Sequence, residues 1–274
     1  MKRLLAILQQ WFGRSRICAR LAVKIRNQAD AVIRNHLNDG VDMASNGELW
    51  LLEKVAPRAS CFVDVGANVG AWSTAFLKRM TAQGRGLLFE PSPSALALLE
   101  TNMHKTGRAG SLEVIQAAVS DRVGTQVFFT EAAAGETSSL VPGHSLSNAQ
   151  RIEVALTTID AELAHRGIDV VDMLKVDAEG FDLHVLRGAD QSLRAGKIAV
   201  VQFEYNTPWA IAGSTLADAI RLFESVGYDL YLLRADGVYA FDYRFYGEYF
   251  GYSNFVAFAP GAMARFGITA KGTV

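Results

Sequence analysis

The chain lacks the features that would place it in several large protein classes. Its 274 residues hold only two cysteines, Cys18 and Cys61, with no Cys-x-x-Cys spacing, which excludes a disulfide framework and a zinc knuckle. Cys61 opens an apolar run, where a thiol serves as a small buried hydrophobe. No stretch approaches the roughly 20 apolar residues that a membrane span requires. Residues 1–11 have the outline of a signal peptide, but Gln9 and Gln10 interrupt the apolar stretch, Arg14 and Arg16 follow, and no small-residue cleavage site closes it. These absences lead to the expectation of a soluble, cytoplasmic chain. No internal repeat and no low-complexity tract occurs. Half the residues are hydrophobic and a fifth are charged, which excludes a disordered protein. The length suits one large α/β domain with a modest appendage.

A net charge of −1 conceals an asymmetry. Residues 1–38 carry eight basic side chains against one acid, Asp30, a net +7 that leaves −8 on the remainder. Such an arm either touches a membrane surface or an acidic partner, or is the solvated face of a helical cap. Leu4, Leu5, Leu8, Phe12, Ile17, Leu21 and Ile25 recur at helical spacing with arginines between, and Asn46–Val55 forms a second helical segment ending at Pro57. The expected division is an N-terminal helical cap over residues 1–58 and a main domain over 59–274.

From Ser60 onward, short apolar runs alternate with amphipathic stretches. Strands are expected at Cys61–Val65, Gly86–Phe89, Leu112–Val119, Asp172–Val176 and Ile198–Phe203, and helices at Ala71–Met80, Ser94–His104, Phe181–Leu193 and Thr215–Val226. This alternation implies a mostly parallel sheet with helices on both faces. Val127–Thr130 and Arg151–Leu156 read as an added antiparallel pair flanking a polar loop, Glu131–Asn148. Asp229–Leu233, Val238–Phe241 and Phe255–Phe258 should finish the sheet as antiparallel strands.

Phe62-Val-Asp-Val-Gly-Ala-Asn-Val-Gly70 is a buried strand, a glycine-bearing turn and a helix start. Gly66 permits positive φ and close approach of a ligand, and the helix N-terminus offers unpaired N–H groups. Asp64 can order the turn or bind a cationic amino group. Alone, such a turn is also an ordinary strand-to-helix connection. The second strand, however, ends in Glu90, where a carboxylate can accept both hydroxyl hydrogens of a ribose. A dinucleotide needs Gly-x-Gly-x-x-Gly to seat its pyrophosphate, and here Asn68 takes the second glycine position. S-adenosylmethionine (SAM) has no phosphate, so the motif favours SAM over NAD. Ser120-Asp121, after the third strand, either meets the adenine edge or caps a turn before Gly124.

Together with Phe89-Glu-Pro91, Ala117-Ala-Val-Ser-Asp121, Thr158-Ile-Asp160, Leu174-Lys-Val-Asp-Ala-Glu-Gly180 and Leu186-Arg-Gly-Ala189, this segment resembles the FkbM-family methyltransferases over about Cys61 to Tyr205. The resemblance implies a Rossmann-like class I methyltransferase fold, SAM as cofactor and O-methylation of natural products, glycolipids or polysaccharide sugars. By the same likeness Asp64, Gly66, Asn68 and Gly70 would line the methionine part, Glu90 the ribose and Ser120-Asp121 the adenine. The basic N-terminal helices and the Tyr-rich tail, Tyr239–Tyr252, lie outside the shared motifs.

Lys175, Asp177 and Glu179 stand at the carboxyl end of the fourth strand, beside the crevice expected where the strand order reverses. Lys175 and Asp177 share a strand face and are either a buried ion pair or part of the catalytic edge, with Asp177 the first choice of base and His144 on the polar loop the second. Asp177, Glu204 and Asn206 project from adjacent strand ends, as hard oxygen ligands for Mg²⁺ or Ca²⁺ or as capping and substrate-binding groups. The loop Glu136–Leu140, with Gly135 and Gly143 as hinges, is expected to fold over the crevice. The expected partner is a small-molecule or glycan acceptor rather than nucleic acid, since no Asn/Asp-Pro-Pro-Tyr motif for a flipped base is present. Two alternatives stay open: an NAD-linked sugar dehydrogenase or epimerase, disfavoured by the missing Tyr-x-x-x-Lys pair, and a non-catalytic binding protein on the same scaffold.

Overall fold

The computed structural model describes residues 2–38, 40–81, 84–130, 139–141 and 150–274. The chain opens with three helices, α1 (Lys2–Gly13), α2 (Arg16–Leu37) and α3 (Glu48–Val55). Ser15 starts α2 by accepting the Cys18 N–H on its hydroxyl. Strand and helix then alternate: β1 (Cys61–Val65), α4 (Ala71–Leu77), β2 (Arg85–Phe89), α5 (Pro93–Lys105) and β3 (Leu112–Ile115). Next come β4 (Ala118–Val119), β5 (Gly124–Thr130), β6 (Gln150–Thr157) and α6 (Ile159–His165). The chain continues through β7 (Val171–Val176), α7 (Asp182–Arg187), α8 (Asp190–Arg194), β8 (Ile198–Tyr205), α9 (Pro208–Ile211) and α10 (Leu216–Val226). It ends with β9 (Asp229–Arg234), β10 (Gly237–Ala240), α11 (Tyr243–Tyr246), β11 (Ser253–Phe258) and α12 (Ala262–Phe266).

Eight strands form the central sheet in the order β10-β9-β11-β8-β7-β1-β2-β3. The five from β3 to β8 are parallel, and β11 runs antiparallel between β8 and β9. This is the expected Rossmann-like α/β fold with a mostly parallel sheet and antiparallel strands at one edge. β1 and β7 are buried along their whole length, as befits parallel strands covered by helices on both faces. Side-chain alternation sorts the core: Val63, Leu174 and Val201 pack on one face, Phe62, Met173 and Val200 on the other. Asp64 and Lys175, paired in register across β1 and β7, project with the second set, toward α3 and α4. The order reverses between β1 and β7. Ligands of open α/β sheets bind outside the carboxyl ends of strands at such a switch point.

Two expected elements are divided. The run Leu112–Val119 is two strands in different sheets: the Glu90 and Ala117 N–H groups both donate to the Ile115 carbonyl, turning the chain so that β4 leaves β2 and pairs with β6. β4, β6 and β5 make a separate three-stranded sheet, in which the anticipated antiparallel pair is present. The single helix expected over Phe181–Leu193 breaks at Gly188, whose carbonyl accepts the Asp160 N–H and whose lack of a Cβ lets the Ser120 carbonyl approach to where one would stand 2.0 Å away. Asp160 then starts α8, its carboxylate accepting the Gln191 and Ser192 N–H groups at 2.9 and 2.8 Å. Finally, β11 lies between β8 and β9, carrying the residues just before it to the middle of the sheet.

Candidate functional site

A cavity of about 370 Å³ opens at the switch point. Its floor is the turn after β1. Gly66 (φ 77°), Asn68 (φ 47°) and Gly70 (φ 83°) are all left-handed, and the Gly66 and Ala67 N–H groups both donate to the Phe89 carbonyl, tying the turn to the end of β2. A Cβ on Gly66 would lie 1.9 Å from the Asp177 carbonyl oxygen, so only glycine lets the two strand ends approach.

Glu90 lines the cavity and is 5% exposed. Its two oxygens accept the Asn68 and Ser92 N–H groups at 2.8 and 2.7 Å. Burial pushes its carboxyl up to about 7, against the pull of those backbone donors. Each oxygen has a second lone pair for a ligand hydroxyl. Two buried polar atoms on the cavity wall, Asn68 Oδ1 and Trp72 Nε1, have no hydrogen-bond partner among the described residues. A buried acceptor and a buried donor left open in this way suit a polar ligand.

Asp64 sits behind the wall rather than on it. It is fully buried and accepts the Ser73 hydroxyl at 2.6 Å, joining β1 to α4. Burial raises its carboxyl, while Lys175 and Ser73 oppose the rise. Gly70 begins α4 and packs against Leu99 and Met103 of α5. Ser120 and Asp121 also lie off the cavity lining: Ser120 is buried and donates its hydroxyl to Asp121, which pairs with His184 Nδ1 at 2.8 Å. Partial burial works to raise Asp121, but the His184 contact outweighs it and the carboxyl lies below its usual range. The apolar end of the cavity is built by Phe89, Ala118, Phe128 and Leu140, so the small sheet and the end of the polar loop cover it. Ser139 pins that loop by donating to the Glu179 carbonyl at 2.8 Å. His144, Gly135 and Gly143 lie outside the described residues.

The opposite end is charged. Lys175 Nζ donates to Asp177 Oδ2 at 2.9 Å and stands 5.8 Å from the Trp72 ring centre. Burial alone would favour neutral lysine, yet the carboxylates of Asp177, Asp64 and Glu48 outweigh it and hold the ammonium protonated. Glu179, at φ 49°, and Glu204 complete this wall. Desolvation pushes the Glu204 carboxyl well above its ordinary range, reinforced by Asp177, Glu179 and Asp182 and opposed by Asn206. The buried Asp182 shapes the turn between β7 and α7 by accepting the Gly180 and Ala178 N–H groups.

The residues expected to hold a cation already contact other groups. Lys175 already neutralises Asp177, and the Asn206 amide presents its N–H to Glu204 at 2.6 Å. Among the described residues no group of three or more His, Cys, Asp or Glu side chains is placed to hold a metal.

Glu48, Tyr252 and Asn254 also line this end, and sequence reasoning did not single them out. Gln202 donates to Glu48 at 2.7 Å and to Asn254 at 3.2 Å; Asn46 donates to Glu48 and to the Tyr252 hydroxyl, both at 3.1 Å. Three segments far apart in sequence thus share one polar network, supported by Gln202 beneath the cavity. The only sequence signal was the Tyr-rich tail, noted without a role.

The parallel sheet, switch-point cavity, glycine turn and ribose-type acid define a Rossmann-like domain built for a nucleoside cofactor. The family model of the Methyltransferase FkbM domain matches residues 64–230, more than half of the chain, and the chain belongs to that family. Among curated relatives, methyltransferase sdnD of Sordaria araneosa is 26% identical, the match covering 49% of this chain and 62% of the relative. The 2-O-methyltransferase NoeI of Sinorhizobium fredii (strain NBRC 101917 / NGR234) is 25% identical, covering 56% of this chain and 65% of the relative. The chain thus spans less than two thirds of these relatives. A solved methyltransferase FkbM from Methylobacillus flagellatus KT is 16% identical with a TM-score of 0.47, over 72% of this chain and 43% of that one. Among the described residues no helix is long and apolar enough to cross a membrane.

Proposed function

We propose that this chain transfers a methyl group from SAM to a hydroxyl of a sugar, glycolipid, polysaccharide or natural-product small molecule. The observation that carries the reading is the two-ended cavity, with Glu90 and the glycine turn at one end and Lys175, Asp177 and Glu204 at the other. The residues present fit SAM. Glu90 has free lone pairs for a ribose diol, Asn68 Oδ1 lacks a donor that an ammonium would supply, and Trp72 Nε1 lacks an acceptor that a carboxylate would supply. Ala118, Phe128 and Leu140 offer an apolar slot for the adenine. The turn carries no phosphate cradle, which separates it from a nicotinamide site.

SAM supplies a methyl already activated by a sulfonium leaving group. What remains for the protein is alignment, the largest contribution in such a displacement, and removal of one proton. Asp177 takes the proton of the acceptor hydroxyl through the oxygen not held by Lys175. Lys175 orients that carboxylate, its own ammonium held over the Trp72 ring. Glu204, its carboxyl raised by desolvation and neighbouring acids, carries its proton and donates a hydrogen bond to the acceptor. Glu48, Tyr252 and Asn254 bind the remaining hydroxyls. The name of the relative NoeI supports oxygen as the receiving atom.

A calorimetric titration tests the cofactor: S-adenosylhomocysteine (SAH) should bind and NAD⁺ should not. Binding of NAD⁺ alone would sink the proposal. Incubating extracts with methyl-labelled SAM and locating the label by mass spectrometry tests the chemistry, and label on nitrogen or carbon would refute transfer to oxygen.

A further inference from the structure

The first four turns of α2 stand away from the body. From Arg16 to Ala29 every residue but Cys18 is exposed, whereas its last turns are anchored by Ile33, by Leu37 in the core and by His36 stacked on Tyr246. An isolated helical stretch of this length is marginal in water without a surface to cover its apolar side. Seven of the fourteen exposed large hydrophobics among the described residues fall between Trp11 and Val32. Ile17, Leu21, Ile25 and Val32 follow helical spacing along one face, at 79%, 58%, 62% and 69% exposure. Arg16, Arg20 and Lys24 recur every four residues along the flank, and none has an ion-pair partner among the described residues.

We infer that α1 and α2 form an interfacial helical arm that docks on an anionic lipid surface. A row of bare aliphatic side chains beside a row of unpaired cations matches a bilayer interface, where the aliphatic row enters the acyl boundary and the cations meet lipid phosphates and carboxylates. Other occupants satisfy only half of the pattern. Pairing two copies along the aliphatic row brings two cationic flanks together. The acidic body of a second copy neutralises the cations but offers the aliphatic row no apolar layer. The arm is also coupled to the cavity: α2 ends at Leu37, and Val41 and Met43, a few residues further on, lie on the cavity wall. Docking therefore holds the cavity close to the lipid surface.

The test is co-sedimentation of the full chain with vesicles of phosphatidylserine and phosphatidylcholine, against vesicles of phosphatidylcholine alone. The chain should pellet with the anionic vesicles, leave them as salt is raised, and ignore the neutral ones. The triple variant Ile17→Ser, Leu21→Ser, Ile25→Ser and the triple variant Arg16→Gln, Arg20→Gln, Lys24→Gln should each weaken partitioning by about tenfold. Both should keep the parent's thermal midpoint, because these side chains touch nothing in the body. No pelleting with anionic vesicles, or equal pelleting with neutral ones, would overturn the inference. So would undiminished binding by the aliphatic triple, or a dimer dissolved by that triple in a chain that ignores lipid.

Discussion

The two ends of the cavity are built by different means. The end proposed for the cofactor rests on backbone: a left-handed turn, N–H groups donated to Glu90 and a carbonyl packed against Gly66, with Ala118, Phe128 and Leu140 adding an apolar wall. The end proposed for the acceptor is made of side chains from residues 46–48, 175–179, 202–206 and 252–254. A backbone-built site tolerates little change of shape, because its donors move only with the main chain. A side-chain-built site is altered one group at a time.

Variants at each end separate the two. Gly66→Ala should be the most damaging. Its φ is left-handed and its new Cβ would meet the Asp177 carbonyl, which should cost roughly 3 kcal/mol or more of stability, measured by denaturant unfolding, and abolish SAH binding. Asp177→Asn should lower kcat about 100-fold while leaving SAH affinity within about threefold, since it removes a proton acceptor but no cofactor contact. An equal loss of SAH affinity would erase the distinction between the ends.

Glu90→Gln should weaken SAH about tenfold, by loss of one charge-assisted hydrogen bond. The parent should also show a pH dependence. With its carboxyl raised to about 7, Glu90 holds a proton in the folded chain that the unfolded chain has released above about 4.5. Its contribution to apo stability is therefore full below 4.5 and is lost as pH rises to about 7. SAH affinity should run the other way, rising to about pH 7 and then levelling, because the ribose hydroxyls favour the carboxylate. Calorimetry on Glu90→Gln should show a flat profile over the same range. Tyr252→Phe should have the smallest effect, a several-fold rise in acceptor KM with kcat and SAH affinity unchanged, as it removes one hydroxyl shared by Asn46 and Asn254.

The glycine turn and the acid after the second strand were legible because they are local. Gly66, Asn68 and Gly70 are read from one short segment, and Glu90 follows at the end of the next strand. Lys175 and Asp177 were found by the alternation of β7, and their ion pair by the cost of burying a lone lysine. The roles of neighbours were harder to read. Ser120 and Asp121 turn to His184, a partner 63 residues from Asp121, and Asp160 caps a helix that begins just after Gly188 and some 30 residues further along the chain. Glu48, Tyr252 and Asn254 lie in no motif, and nothing in their spacing links them.

Periodicity, turn chemistry and one ribose-type acid by themselves determined a mostly parallel α/β domain with a nucleoside site after its first strand. These depend on contacts between near neighbours, where residue type and spacing leave few alternatives. Only the tertiary structure decided what lines the opposite end of the cavity. The insertion of β11 beside β8 brings Tyr252 and Asn254 to the cavity, and the packing of α3 on the sheet brings Glu48. Those contacts join residues some 200 positions apart, as in the Asn46–Tyr252 hydrogen bond with its separation of 206, and hydrophobic burial rather than any local pattern selects them.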